Sequence, residues 1–378
     1  MTLTQKINLA ETIQQNISPR ITNLWPNFTL VPFILYDADN QVAVGDQWPG
    51  HYQHERGDIW IAHGTDPQLM GNTAMEYHNR IVAIWDTRTW EEIPSISHAS
   101  ALIAHEMFHA YQTHMNLPWA NEFLLPQYPH SVRSAALVLE ENGLFAEMLA
   151  NFDSPDLIMD CMKKIFALRK LREAVIGTDF MEYDGRLEGA EGTAAYVEIK
   201  LQAILEGKTP FECAASYLPA LQSDGLLAEY RHRCYATGLI LCLAADVLCP
   251  GWQIAWIKSG LAIFEFMQEK LAFGPVDVMV SQSSAEKACQ LVSAFKEEKE
   301  RRIAEFKKQD VKLIEGDIQL MSFDPMNLTC IDDLCLHMHG QLRYGNEEHL
   351  MDQPFLTQFG DHIMDVKRVW VRSDKKQL

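Results

Sequence analysis

The chain has 378 residues, 47% of them hydrophobic, and a formal net charge of -19. That length supports a sizeable core and two or three domains or subdomains. An acidic balance of this size excludes a nucleic-acid binder, which needs a basic face, and otherwise bears mainly on solubility.

The first fifteen or so residues are polar and lack an apolar stretch of signal-peptide type. The most apolar run, residues 235–248, is too short to cross a bilayer, so no membrane partner is expected. Eight cysteines occur without a CxxC pair, mostly in apolar helical sequence. They read as reduced thiols of a cytoplasmic protein.

In chain order, residues 3–17 predict an amphipathic helix. Residues 28–45 carry two strand signals around a turn at 37–40. Residues 46–78 are mixed, and their histidines, His51, His54 and His63, have a spacing that suits no compact ligand set. Residues 79–85 form the clearest strand, expected as an edge. From 131 to about 310 the chain is helical by periodicity, with helices over 131–152, 156–176, 185–206, 211–221 and 224–248. A further charged helix, capped by Ser283 or Ser284, runs to about 308. Residues 311–378 then change to short apolar runs with Gly and Pro turns, ending in a strand over 366–372. The fold class expected is α+β, mostly α-helical, with an N-terminal β-containing subdomain (1–96), a helical domain (97–310) and a small β-rich C-terminal subdomain (311–378).

One stretch carries chemistry. Residues 101–112 contain a single HExxH, His105-Glu106-Met107-Phe108-His109. Positions four apart share one helix face, so the two imidazoles can supply half of a tetrahedral zinc shell. Glu106 is then placed to act as general base on a water. Ser97 or Ser100 is a candidate cap for this helix. His114 does not match the metzincin third ligand, because it falls one residue short of that position. A third ligand is needed, and Glu140, Glu141 and Glu191 are the candidates. Arg133, Glu140, Glu141 and Glu147 recur at near-helical spacing and read mostly as a solvated or ion-paired face, with Glu140 or Glu141 available to hydrogen-bond a ligand histidine.

The segment Glu191-Gly192-Thr193-Ala194-Ala195-Tyr196-Val197-Glu198 resembles the EGxAxYxE segment of gluzincin metallopeptidases, especially the zinc aminopeptidases. Those enzymes place it nearer to HExxH, and their GxMEN-type segment is absent here. The resemblance implies a zincin-like core and Glu191 as third zinc ligand. Gly192 then admits a close helix neighbour, while Ala194 and Tyr196 pack the ligand helix. Gluzincins often complete the site with a Tyr or His after the ligand helix. Tyr235 is the candidate oxyanion donor, with Tyr230 and His232 in reserve. The expected activity is zinc-dependent hydrolysis of a peptide or small-protein substrate. A non-peptide zinc hydrolase and a catalytically silent binding protein are the alternatives.

Overall fold

The computed structural model describes residues 1–373 apart from 65, 275, 325, 326, 346 and 362. Positions 374–378 of the expected C-terminal subdomain therefore lie outside the described residues. The chain is 53% helical and 19% strand, a mixed α+β protein with a sheet near its N-terminus and strands near its C-terminus. Residues 1–120, 141–167 and 184–278 form one compact unit, and residues 121–140, 168–183 and 279 onward form another.

In the first unit, α1 (Leu3–Ile17) starts at a Thr2–Gln5 capping box and buries Ile7, Ala10, Ile13 and Ile17. The short α2 (Ile21–Leu24) leads to a six-stranded sheet. Its strands are β1 (Phe33–Tyr36), β2 (Asn40–Val44), β3 (Gln53–Arg56), β4 (Ile59–His63), β5 (Thr73–Tyr77) and β6 (Arg80–Asp86), in the order β3-β4-β2-β1-β6-β5. Only β1 and β6 pair in parallel. Alternate side chains go to opposite faces. Phe33, Leu35, Val42, Val44, Ala83 and Trp85 join the main core, while Ile34, Tyr36, Ala43, Val82 and Ile84 pack a smaller one with Trp48, Tyr52 and Tyr77.

Two expectations are corrected here. The strand expected as an edge, residues 79–85, is interior, between β1 and β5. Val82 to Trp85 are buried on both faces, the pattern of a covered strand, whereas the edge on that side of the sheet is the half-polar β5. The stretch that read as mixed holds β3, β4 and β5; β3 is exposed at every position, so it shows no alternation to detect.

The main core lies between this sheet and a layer of helices. The HExxH helix, α3 (Ile96–His114), is capped by Ser95, not by Ser97 or Ser100, which are both within it. Then follow α4 (Val132–Ala150), α5 (Pro155–Ile176) and α6 (Thr178–Leu187). A π turn over Glu188–Gly192 joins α6 without a break to α7 (Thr193–Glu206), which ends at Gly207 with φ 65°. Next come α8 (Pro210–Ala214), α9 (Leu218–Gln222), α10 (Tyr230–Leu248), α11 (Trp252–Ser259) and α12 (Ile263–Leu271). The helix expected over 211–221 is thus two short ones, and α10 starts only at Tyr230. Trp25 makes tilted or edge contacts with Phe108, Tyr196, Trp252 and Trp256 at 5.0–6.0 Å, which ties α3, α7 and α11 together. Such pairs contribute about 0.5–1.5 kcal/mol each beyond their burial.

The ligand helix meets α10 backbone to backbone. A Cβ on Gly192 would lie 2.4 Å from Gly238 Cα, and one on Gly238 would lie 2.4 Å from the Glu188 carbonyl oxygen. Only glycine permits this crossing.

The second unit contains α13 (Gln282–Lys307), capped by Ser281 rather than by Ser283 or Ser284. Its strands are β7 (Val311–Glu315), β8 (Ile318–Phe323), β9 (Leu328–Ile331), β10 (Leu334–His337), β11 (Gly340–Tyr344), β12 (Glu347–Met351), β13 (Phe355–Phe359) and β14 (Val366–Arg372). They form a five-stranded sheet, β7-β14-β13-β10-β9, and a three-stranded one, β12-β11-β8. Ile303 and Phe306 of α13 pack on Leu336 and Leu356. Cys330 and Cys335 are directly opposed on β9 and β10 and form a disulfide, so the expectation of eight free thiols fails at this pair. Among the described residues, no helix is long and apolar enough to cross a membrane.

Candidate metal centre

Helix α3 runs through the middle of the first unit and is buried from Ala99 to Gln112 apart from Leu102. The four-residue spacing sets His105 and His109 side by side, with ring centroids 4.8 Å apart. Glu191 reaches them from the π turn: its Oε2 lies 3.2 Å from His109 Nε2 and 3.6 Å from His105 Nε2. All three residues are buried. Donors 2.0–2.2 Å from a tetrahedral ion stand about 3.3–3.5 Å from one another, so the observed separations match a zinc-sized ion. Glu191 Oε2 accepts no well-formed hydrogen bond although it is buried, which marks where a cation fits.

The far sides of the ligands are tied down. His105 Nδ1 meets Glu198 Oε2 at 3.0 Å, and Tyr217 donates its hydroxyl to the same oxygen at 3.0 Å. His109 Nδ1 meets Gln112 Oε1 at 2.8 Å. The amide of Gln112 in turn donates to the Ala190 carbonyl and to Thr193 Oγ1, at 2.7 and 2.8 Å. Arg231 donates to Glu191 Oε1 at 2.6 Å. With each Nδ1–H donated outward, both Nε2 atoms face the common point.

Electrostatics point the same way. Burial opposes charge on His105, yet Glu191 and Glu198 hold its pKa up at about 10. Burial also opposes ionisation of Glu191, but the His109 and His105 rings hold it well below the usual carboxylate range. The pocket thus favours positive charge at the triad. Burial pushes the Glu106 carboxyl up.

Glu106, Glu198, Tyr217, Arg231 and Tyr235 line an open cavity of ≈ 330 Å³ with the triad, and Asn72 and Thr73, at the start of edge strand β5, form another wall. The Tyr235 ring stacks on His105 at 6.1 Å. Burial and the Glu191 carboxylate push its phenol well above the usual range, so it keeps its proton.

Of the other candidates, Glu140 accepts from the Ser281 amide at 2.8 Å and Glu141 pairs with buried Arg233 at 2.8 Å. Neither reaches the histidines; the carboxylate behind His105 is Glu198. Tyr230 gives its hydroxyl to Asp184 at 2.8 Å, and His232 packs 6.0 Å from the Tyr235 ring. Glu198 had a signal in the sequence, since seven residues from Glu191 is two helical turns on the same face. Gln112 had one too, one turn past His109. Tyr217 and Arg231 had none. Comparison with protein-family models, curated proteins and solved structures finds no match for this chain.

Proposed function

We propose that this protein is a zinc-dependent metallopeptidase of gluzincin type, built on a zincin-like core. The observation that supports this best is the convergence of three buried donors, His105, His109 and Glu191, beside Glu106. Those three residues would hold the ion. When bound, it supplies Lewis acidity to an attacking water and to the scissile carbonyl. Glu106 takes the proton from that water and passes it to the leaving amine. Tyr235 keeps its proton and donates a hydrogen bond to the developing oxyanion. Arg231 and Glu198 hold Glu191 and His105 in place. An extended peptide pairs along the free edge of β5 through main-chain hydrogen bonds, entering beside Asn72 and Thr73.

The test combines metal analysis with one substitution. Protein purified without added metal carries zinc that Glu191→Ala or His109→Ala loses. Glu106→Gln keeps zinc and fold but loses roughly 10²–10⁴ in turnover of peptide substrates. Undiminished turnover in Glu106→Gln, or hydrolysis of esters with no peptide cleavage, overturns the reading.

A further inference from the structure

Outside the cavity, one other group of donors converges. His51 lies in the loop before β3, Asp66 in the loop between β4 and β5, and His78 in the turn between β5 and β6. One ligand atom from each lies within 4.8 Å of the others. The two imidazoles have centroids 5.6 Å apart. His54 and His63, close by in sequence, point elsewhere: His54 Nε2 donates to the Gly57 carbonyl and His63 Nδ1 meets Asn40 Oδ1, both at 2.9 Å.

The donors are held in position. Tyr77 on β5 is buried in the smaller core, and its hydroxyl donates to Asp66 Oδ2 at 2.7 Å while standing 3.3 Å from His51 Nε2. The Gln68 backbone N–H donates to the other Asp66 oxygen at 2.9 Å. Tyr77 pairs with Arg80, so His78 and Asn79 are the two turn residues, with φ of 49° and 62°. This is the primed turn that hairpin twist favours, for which Asn and Gly are the usual choices.

We propose that His51, Asp66 and His78 form a second divalent-metal site, which takes a borderline ion of the zinc class. Two imidazoles and one carboxylate are the donor set for zinc, cobalt, nickel or copper; calcium and magnesium prefer oxygen donors throughout. A tetrahedral ion needs donors about 3.4 Å apart. Both histidines are exposed and Asp66 is half-buried, so rotation of two solvent-facing rings closes the difference. Three protein donors at the surface leave the remaining positions to water, which makes this an exchangeable site. Its ion ties the β2–β3 and β4–β5 connections to the turn of the β5–β6 hairpin, whose opposite end, at Asn72 and Thr73, lines the cavity. The proposal is independent of any activity at the first centre.

The test is zinc titration of chelator-stripped, full-length protein by calorimetry, with far-UV circular dichroism as the fold control. The wild type should bind two zinc ions, and His51→Ala/His78→Ala and His105→Ala/His109→Ala should bind one each. Tyr77→Phe should weaken the exchangeable site by about 10- to 100-fold, the cost of losing an outer partner, and leave the other unchanged. Two ions in folded His51→Ala/His78→Ala, or none in folded His105→Ala/His109→Ala, overturns the proposal. If the His105→Ala/His109→Ala variant does not fold, the drop from two to one between wild type and His51→Ala/His78→Ala decides, since that pair is exposed. One ion in the wild type that persists without His105 and His109 supports this site and defeats the first.

Discussion

Gly238→Ala is the most informative single perturbation. The new Cβ would stand 2.4 Å from the Glu188 carbonyl oxygen, 2.8 Å from Gly192 Cα and 2.9 Å from Glu188 Cα. All three are backbone atoms, so no side chain can swing aside. Ordinary contact begins at about 3.5 Å, and α10 must therefore move from the π turn by about 1 Å. Overpacking of this kind costs about 1–3 kcal/mol. The displacement also separates Glu191 from Tyr235 and Arg231, which α10 carries, and a misplacement of about 1 Å can cost 10²-fold in rate. Gly143→Ala is the control. Gly143 is an exposed position inside α4, and a Cβ there meets nothing within 4 Å. Replacing a helical glycine with alanine should stabilise by about 0.5–1 kcal/mol. Urea unfolding of both variants, with zinc titration alongside, should thus give shifts of opposite sign and impaired metal binding for Gly238→Ala alone. Equal stability of the two, or wild-type zinc affinity in Gly238→Ala, would refute the tight crossing and its hold on the site.

Tyr235→Phe should fold and bind zinc normally but lose about 10²–10³ in kcat with KM little changed; steady-state kinetics with unaltered kcat would remove Tyr235 from the chemistry. Thiol titration of denatured, unreduced protein should count Cys161, Cys213, Cys234, Cys242, Cys249 and Cys289 but not Cys330 or Cys335, and eight reactive thiols would exclude the cross-strand bond. His337 is buried, which holds its pKa down at about 3, and its Nδ1 has no hydrogen-bond partner. Below the unfolded-state value of about 6.5, the unfolded chain binds a proton that the folded one refuses, so stability falls as pH drops from about 6.5 toward 3. The slope is at most about 1.4 kcal/mol per pH unit for this group, and urea midpoints at pH 7 and pH 5 should differ less in His337→Gln than in the wild type; equal differences would show that His337 does not titrate this way.

What the sequence discloses follows the range of the interactions. HExxH is local, and helix geometry alone sets His105 beside His109. Glu191 is distant in sequence and legible only because its segment resembles a known one, while Glu198 rides on the same helix face. Tyr217 and Arg231 are brought in by α9 and α10 packing and leave no periodic trace. The opposed Gly192 and Gly238 each hint at a close neighbour, but only the structure makes them neighbours of each other. In the sheet, the run from Ile81 to Trp85 is easily seen as a strand because it is apolar. That same uniformity marks it as covered, and the true edge, β5, is less visible for being half-polar. His51 and His78 fall in different connections, so no spacing rule joins them.

The π turn has a consequence for how this protein can change. It holds one residue more than α-helical winding requires between α6 and α7. Losing a residue there would give a smoother helix, but would rotate one side of the junction against the other by about 100°. Glu191 and Glu198, or the half of the helix that anchors them, would then face the wrong way. Length is therefore under constraint in a segment where composition alone looks permissive, and a change that improves the helix costs the centre.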